Sequence, residues 1–422
     1  MIPPAEAELA VGIQCYASVG APCPARAKTT AEDFVVEEHL AQQELSQENR
    51  PDYYPLYRVE KHSIDTMHMA EELGMALRSN VSYGGLKDKR AVAVQYATPT
   101  SLRADRPLNV AREHFTASLV GYVPKPLSRS LLAGNGFAVT LRECCGEIGS
   151  RIEETFKLAD GRLLPNFYGL QRFGTSGSGT HLIGREVVKR QFESAVKLLL
   201  AGSGAPDSEG RRMTEEAVSA QRFEEVAELL PPGKDVERMV ARELSRHPGE
   251  WIRALRAVPV KLRRLYVQAY QSWIFNRTLS KGMANVVDLS RLVKGDNWAA
   301  ASEDGLITSA VQGVKDAATP RAVPMVQLLG YAFRDYGTRF DALINEVIRE
   351  EGITPGQFFL KEMQEVSVEG GFRRPHIAIR GASWSVEGNT AKLKFVLGKG
   401  QYATILLREV IKPRDPRASG LA

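Results

Sequence analysis

The chain has 422 residues, 43% hydrophobic and 25% charged, with 36 Gly and 22 Pro. That composition excludes collagen-like, low-complexity and wholly disordered chains, and the length exceeds one simple core, so two or three domains are expected. Lys and Arg number 55 against 50 Asp and Glu, a formal +5, which permits a polyanionic partner without requiring one.

No run approaches the roughly 18 apolar residues of a membrane span; Val196–Ala201 is interrupted by Lys197. Met1-Ile2-Pro3-Pro4, followed by Glu6 and Glu8, lacks a basic n-region and an apolar h-region. A soluble, cytoplasmic protein is expected. In chain order, residues 28–60 read as β-rich, with Phe34-Val35-Val36 and Leu56–Glu60 as strands. Met67, Ala70, Leu73 and Leu77 then recur at helical spacing, which predicts a helix from Asp65-Thr66. Asn80–Gly85 reads as a turn, Ala91–Tyr96 and Phe137–Leu141 as strands. The first section is therefore an α+β sheet domain.

From Pro165 the pattern becomes helical. Glu186–Leu200 and Met213–Leu230 read as helices, separated by a Gly/Ser/Pro loop at 202–207. Leu262, Leu265, Tyr266, Ala269 and Trp273 form the stripe of a packed helix. Residues 250–264 carry Arg253, Arg256, Lys261, Arg263 and Arg264 against Glu250 alone, and Arg373, Arg374 and Arg380 form a second basic group. Each reads as a solvated face, and together they suggest a nucleic-acid surface flanking a cleft. Strand character returns at Leu393–Leu397, and Ile405–Lys412 reads as a helix. A sheet domain interrupted by a helix-rich insertion fits this order.

Most cofactor signatures fail. Cys15, Cys23, Cys144 and Cys145 make no CxxC, and the seven His make no HExxH, so no metal site is expected; nor is a disulfide framework. Gly398-Lys399-Gly400-Gln401-Tyr402-Ala403 fits GxGxxA, but residues 404–422 are too few for the rest of a βαβ unit. Gly179–Gly184 opens like a P-loop, yet Arg185 and Glu186 stand where Lys and Ser/Thr belong.

Gly84-Gly85-Leu86-Lys87-Asp88-Lys89-Arg90-Ala91 is different. Two glycines allow a sharp turn and close approach by another molecule. The bracketing cations favour an ionised Asp88, as a nucleophile requires. On spacing alone, a surface turn whose charges face water is the favoured reading of the segment.

This block resembles the catalytic motif of the tRNA pseudouridine synthase D (TruD) family, G-x-K-D-x-x-A-x-x-x-Q. Five further segments agree in the family's order. Lys28–Val36 is similar to K-x-x-x-E-D-F-x-V, and Gly134-Asn135-Gly136-Phe137 to G-N-x-F. Pro165–Gly174 resembles the N-[YF]-[YF]-G-x-Q-R-F-G motif, and Ala269–Asn276 and Leu397–Thr404 complete the set. The Phe167-Tyr168 order and an insertion longer than in bacterial members resemble the archaeal and eukaryotic branch.

The resemblance implies a pseudouridine-synthase catalytic domain with a mixed, largely antiparallel sheet (1–164 with 375–422), interrupted by a helix-rich insertion (165–374). It implies isomerisation of a tRNA uridine, expected at position 13, without cofactor or metal, by a monomer. Asp88 would be the catalytic carboxylate and Lys28 its ionic partner. Phe34, Asn135 and Tyr402 would contact a flipped-out base, with Phe137 packed beneath. Asn166, Gln171 and Arg172 would support the site or the hinge between domains. Two other classes remain: a catalytically silent RNA-binding protein of the same fold, and a nucleoside or glycoside hydrolase pairing Asp88 with a second acid.

Overall fold

Period-two alternation organises the sheet. In β1 (Phe34–Leu40), Phe34, Val36 and Glu38 turn inward while Glu37 and His39 face water; an inward carboxylate breaks the pattern and marks Glu38. The computed structural model describes residues 2–422 apart from 42–44, 86, 88–90, 104–105, 129–130, 175–178, 203–207, 303–306, 308, 310 and 314–321. Ahead of β1 lies the short helix α1 (Glu6–Ala10); β2 (Tyr54–Lys61), α2 (Thr66–Leu77), β3 (Val81–Tyr83), β4 (Val92–Pro99), β5 (Asn109–Ala111), β6 (Phe115–Val123) and β7 (Leu132–Leu141) follow. After α3 (Ile148–Asp160) come seven helices: α4 (Thr180–Val188), α5 (Phe192–Ala201), α6 (Ser208–Ser219), α7 (Phe223–Leu229), α8 (Asp235–Arg246), α9 (Trp251–Ala257) and α10 (Val260–Ala284). Short strands β8 (Asn297–Ala300), β9 (Gln312–Gly313), β10 (Ala322–Pro324) and β11 (Val326–Leu328) precede α11 (Arg339–Glu351) and β12 (Gly371–Arg373). The chain closes with β13 (Ile379–Glu387), β14 (Thr390–Gly398) and α12 (Ala403–Ile411).

Among the described residues, nine strands form one sheet in the order β13-β14-β7-β1-β4-β2-β6-β5, with β3 on β4. The β1–β4 pair is parallel and the other pairs are antiparallel. The last two strands thus complete a sheet begun more than 240 residues earlier, Leu397 pairing with Asn135. Inward residues Leu393, Phe395 and Leu397 of β14 pack with Phe156 of α3 and Leu406 and Leu407 of α12 in the main core. A second core lies where Met69, Leu73 and Leu77 of α2 meet Tyr57, Val59 and Phe115.

Local details depart from the sequence reading. Helix α2 begins where expected, because Asp65 accepts from the N–H groups of Met67 and His68 as a cap. Its buried stripe is Thr66, Met69, Leu73 and Leu77, and Met67 faces water. The Asn80–Gly85 turn contains the short strand β3. The expected helices 186–200 and 213–230 each break in two, at Arg190 (φ 60°) and Gln221 (φ 55°). Left-handed non-glycine residues carry little sequence signal. Arg190 is held by its guanidinium, which donates to the carbonyls of Val188 and Gln357.

Two chemical expectations change as well. Cys23 and Cys145 form a disulfide with Cα atoms 5.6 Å apart. The N-terminal segment runs antiparallel past the end of β7, with Arg26 bridging Arg142 and Cys145 donating to Pro24 O. A pairing across 122 residues leaves no local spacing to read. The 250–264 basic group is largely engaged within the protein: Arg253 pairs with Glu243 and Arg263 with Glu365, while Arg256 and Arg264 donate to the carbonyls of Glu362 and Glu365. Arg373 and Arg374 are buried, 9% and 8% exposed, so neither is a solvated face.

Candidate active site

The sheet's inward face opens at the junction of β1, β7 and the β14–α12 loop into a cavity of about 200 Å3. Phe34 enters it from the start of β1. Its ring meets Phe137 of β7 edge-on, with centroids 5.9 Å apart, and Phe137 stacks on Phe395 of β14 at 5.4 Å. Phe137 therefore couples the cavity wall to the core. Lys28 holds its Nζ 4.6 Å from the centroid of Phe34. The lysine sits in a left-handed turn (φ 57°). Just beyond that turn Asp33, 1% exposed, accepts from Thr30 N–H and from Arg142. Burial alone would raise the Asp33 carboxyl, but the Arg142 and Thr30 bonds hold it below its usual value.

Asn135 reaches the same cavity from β7, opposite Glu38 on one side and Leu397 on the other. The preceding Gly134 permits that register, since a Cβ there would fall 2.3 Å from Leu397 O. The Asn135 Oδ1 is buried and has no hydrogen-bond partner among the described residues. Buried polar atoms are seldom left so unless a ligand completes them.

Tyr402 caps α12 at its N-terminus and lines the opposite wall with Ala403 and Thr404. Burial pushes its phenol up, opposed by the Arg373 charge. The ring packs against Tyr168 at 6.1 Å. Gly169 lies against this wall: a Cβ there would stand 2.8 Å from Gln171 Oε1, 3.1 Å from Thr404 Oγ1 and 3.4 Å from Tyr402 Cδ1. Thr404 donates to Gln171 Oε1, and Gln171 Nε2 donates to Leu421 O. Gln171's amide is thus committed to the scaffold, while Asn135 lines the cavity with an Oδ1 that is buried and has no partner among the described residues.

Asp88 lies outside the described residues. Its chain neighbours Lys87 and Ala91 both line the cavity. Lys87 donates from its main-chain N–H to Thr66 Oγ1 and from Nζ to Glu38 Oε1, at 2.9 and 2.5 Å. Lys87 is therefore committed to Glu38. A cation, a ring pair and an amide gathered on one cavity can hold a planar heterocycle by its faces and its edge.

A family model for tRNA pseudouridine synthase D (TruD) matches residues 10–410. The chain belongs to the TruD family. It is 32% identical to a Pyrobaculum neutrophilum protein named "Probable tRNA pseudouridine synthase D", over 97% of both chains. A Methanopyrus kandleri protein of the same name is also 32% identical, over 85% of each. The crystal structure of a Methanosarcina mazei protein, described as a candidate tRNA pseudouridine synthase D (TruD), superposes with a TM-score of 0.81 at 26% identity. That match covers 99% of this chain and 100% of the other.

The TruD-like motifs place Lys28, Phe34, Asn135, Phe137 and Tyr402 around one cavity. Sequence reasoning passed over Glu38, Thr404 and Gln401, which lie in or beside these motifs. Glu38 had a usable signal, a carboxylate at an inward strand position. Arg172 donates to Ser272 and Gln268 on α10, and its guanidinium carbon lies 5.8 Å from the ring centroid of Tyr168. No helix among the described residues is long and apolar enough to cross a membrane.

Proposed function

We propose that this TruD-family chain isomerises a uridine of tRNA, at position 13, to pseudouridine. Asp88 acts as the catalytic carboxylate and Lys28 as the cation that keeps it ionised. The N1–C1′ bond breaks, C1′ joins C5, the C5 proton leaves and N1 is protonated, so the atoms balance without a consumed reagent. The target base is extruded from its stack, and the cost of unstacking is offset by aromatic faces and edge hydrogen bonds.

The observation that carries this reading is the convergence of Phe34, Asn135 and Tyr402 on one small cavity, Asn135 having a buried Oδ1 without a partner among the described residues. At about 200 Å3 the space falls below the roughly 300–1,000 Å3 of ordinary ligand pockets and suits a single pyrimidine ring. Phe34 and Tyr402 hold its faces, Asn135 reads its edge, and Phe137 fixes Phe34 from below. The same reading takes 1–164 with 375–422 as the catalytic domain and 165–374 as the insertion; the pairing of β14 with β7 supports it. The enzyme works as a cytoplasmic monomer without cofactor or metal, its mass in solution checked by sedimentation.

The test is incubation with an unmodified tRNA transcript, followed by nucleoside analysis and carbodiimide-dependent primer extension. Pseudouridine at position 13 with no free uracil is expected. Free uracil would replace this reading with hydrolysis, and intact uridine would leave an RNA-binding protein.

A further inference from the structure

We infer that Arg373 is a positioning residue for the isomerisation, acting on the base-holding ring of Tyr402 through Tyr168. The inference rests on the proposed role of Tyr402.

Sequence alone assigns Arg373 to a basic face, yet it is 9% exposed. Its Nε and Nη2 donate to Asn166 O at 3.2 and 3.1 Å, and Nη2 also donates to Asn166 Oδ1 at 2.9 Å. Asn166 in turn donates from Nδ2 to Arg374 O and from its main chain to Pro375 O. Segments 166–168 and 373–375 are thereby laced together.

Held in that plane, the guanidinium carbon lies 3.9 Å from the ring centroid of Tyr168, 5.4 Å from Phe275 and 5.8 Å from Tyr402. Cation–π attraction of this kind is strongest where water is excluded. Tyr168 is itself fixed: its N–H donates to Asn276 Oδ1, and its carbonyl accepts from Asn276 Nδ2 on α10. Tyr402 therefore rests on a ring whose main chain is clamped from one side and whose face is held from the other. Only a planar, forked cation can bond Asn166 and cover Tyr168 together; an ammonium cannot do both. The arrangement gives a use to the Asn-Phe-Tyr-Gly segment, whose residues are not among those lining the cavity.

Arg373 also borders a neighbouring cavity of about 370 Å3 beside Arg374 and Lys399, so direct contact with an RNA phosphate is the competing role. Kinetics with tRNA separate the two. Positioning implies that Arg373→Lys and Arg373→Gln each lower single-turnover kcat on the order of tenfold. KM and the salt dependence of tRNA binding should stay as in the wild type. In a Tyr402→Leu background, Arg373→Lys should then change kcat by less than about twofold, because coupled residues do not add.

Fully additive losses would overturn the inference. So would an Arg373→Lys enzyme with normal kcat beside an Arg373→Gln enzyme whose tRNA binding weakens and whose salt slope falls by about one, the phosphate result. If Arg373→Lys melts early, Tyr168→Leu carries the same cycle, with the same non-additivity expected and additivity again decisive against it. Full activity in Tyr402→Leu alone would instead remove the proposed role of Tyr402, a separate outcome.

Discussion

Lys87 Nζ lies 2.5 Å from Glu38 Oε1 in a pair almost closed to water, with side-chain exposures of 7% and 0%. Glu38 Oε2 accepts from Tyr96 N–H, so the carboxylate is held by the neighbouring strand. This pair tethers the chain immediately before Asp88 to the strand that faces Asn135. Removing one partner from a buried pair costs about 3–5 kcal/mol, because the other charge is left uncompensated. Glu38→Gln should therefore melt well below the wild type and turn over slowly. Replacing both partners, Glu38→Gln with Lys87→Met, keeps an acceptor for Tyr96 N–H and should restore most of the melting temperature yet leave kcat depressed. Recovery of kcat along with stability would show the pair to be scaffold alone.

Asn135 should behave in the opposite way. Its Oδ1 has no hydrogen-bond partner among the described residues, and an unmade buried hydrogen bond is a burden of about 1–3 kcal/mol. Asn135→Ala is expected to melt no lower than the wild type while losing about tenfold or more in kcat/KM. Circular dichroism melts and tRNA turnover on one preparation check this. Lower stability with unchanged activity would place Asn135 in the scaffold.

Gly169 has an ordinary φ of −71°, so alanine meets no backbone strain there, and any effect comes from the added Cβ. That atom would press on Gln171, Thr404 and Tyr402. Gly169→Ala should reduce turnover by about tenfold, since small displacements of positioned groups are costly. Unchanged kinetics would mean the cavity wall yields freely.

Acid should destabilise the fold before it reaches the carboxylates. Burial pushes His181 down to about 4, with Arg185 adding to the effect, and burial with Arg374 pushes His376 down to about 3. Both imidazoles are neutral in the folded chain. Between the usual value of about 6.5 and these lowered values the unfolded chain binds more protons, so stability rises with pH and falls as pH drops. The slope should reach about 1.4 kcal/mol per pH unit for each histidine. Urea midpoints at pH 7.5, 6 and 5 measure it. His181→Leu, in a pocket walled by Trp273 and Phe173, should flatten the curve; an identical slope would contradict the assignment.

Much of the candidate site was legible because the residues that line its cavity come from short motifs whose residue types carry chemistry: Lys28 and Phe34, Asn135 and Phe137, Tyr402. Their convergence was not legible, since it depends on β14 pairing with β7 after a long excursion of the chain. The start of α2 was readable from Asp65, whereas its orientation was not, because Met67 and Met69 are equally apolar and only packing chooses between them. Arg373 misled for a related reason. Charge patterning presumes exposure, and the aromatic rings and Asn166 that make its burial tolerable come from segments distant in sequence. The helix breaks at Arg190 and Gln221 rest on left-handed residues that composition does not mark.

The proposed role of Asp88 as the carboxylate that drives isomerisation is tested most directly by tritium release from tRNA labelled at uridine C5. Wild-type enzyme is expected to release tritium from one uridine per tRNA without added metal or nucleotide. Asp88→Ala should bind the same tRNA and release none above background. Release by Asp88→Ala at the wild-type rate would contradict the assignment.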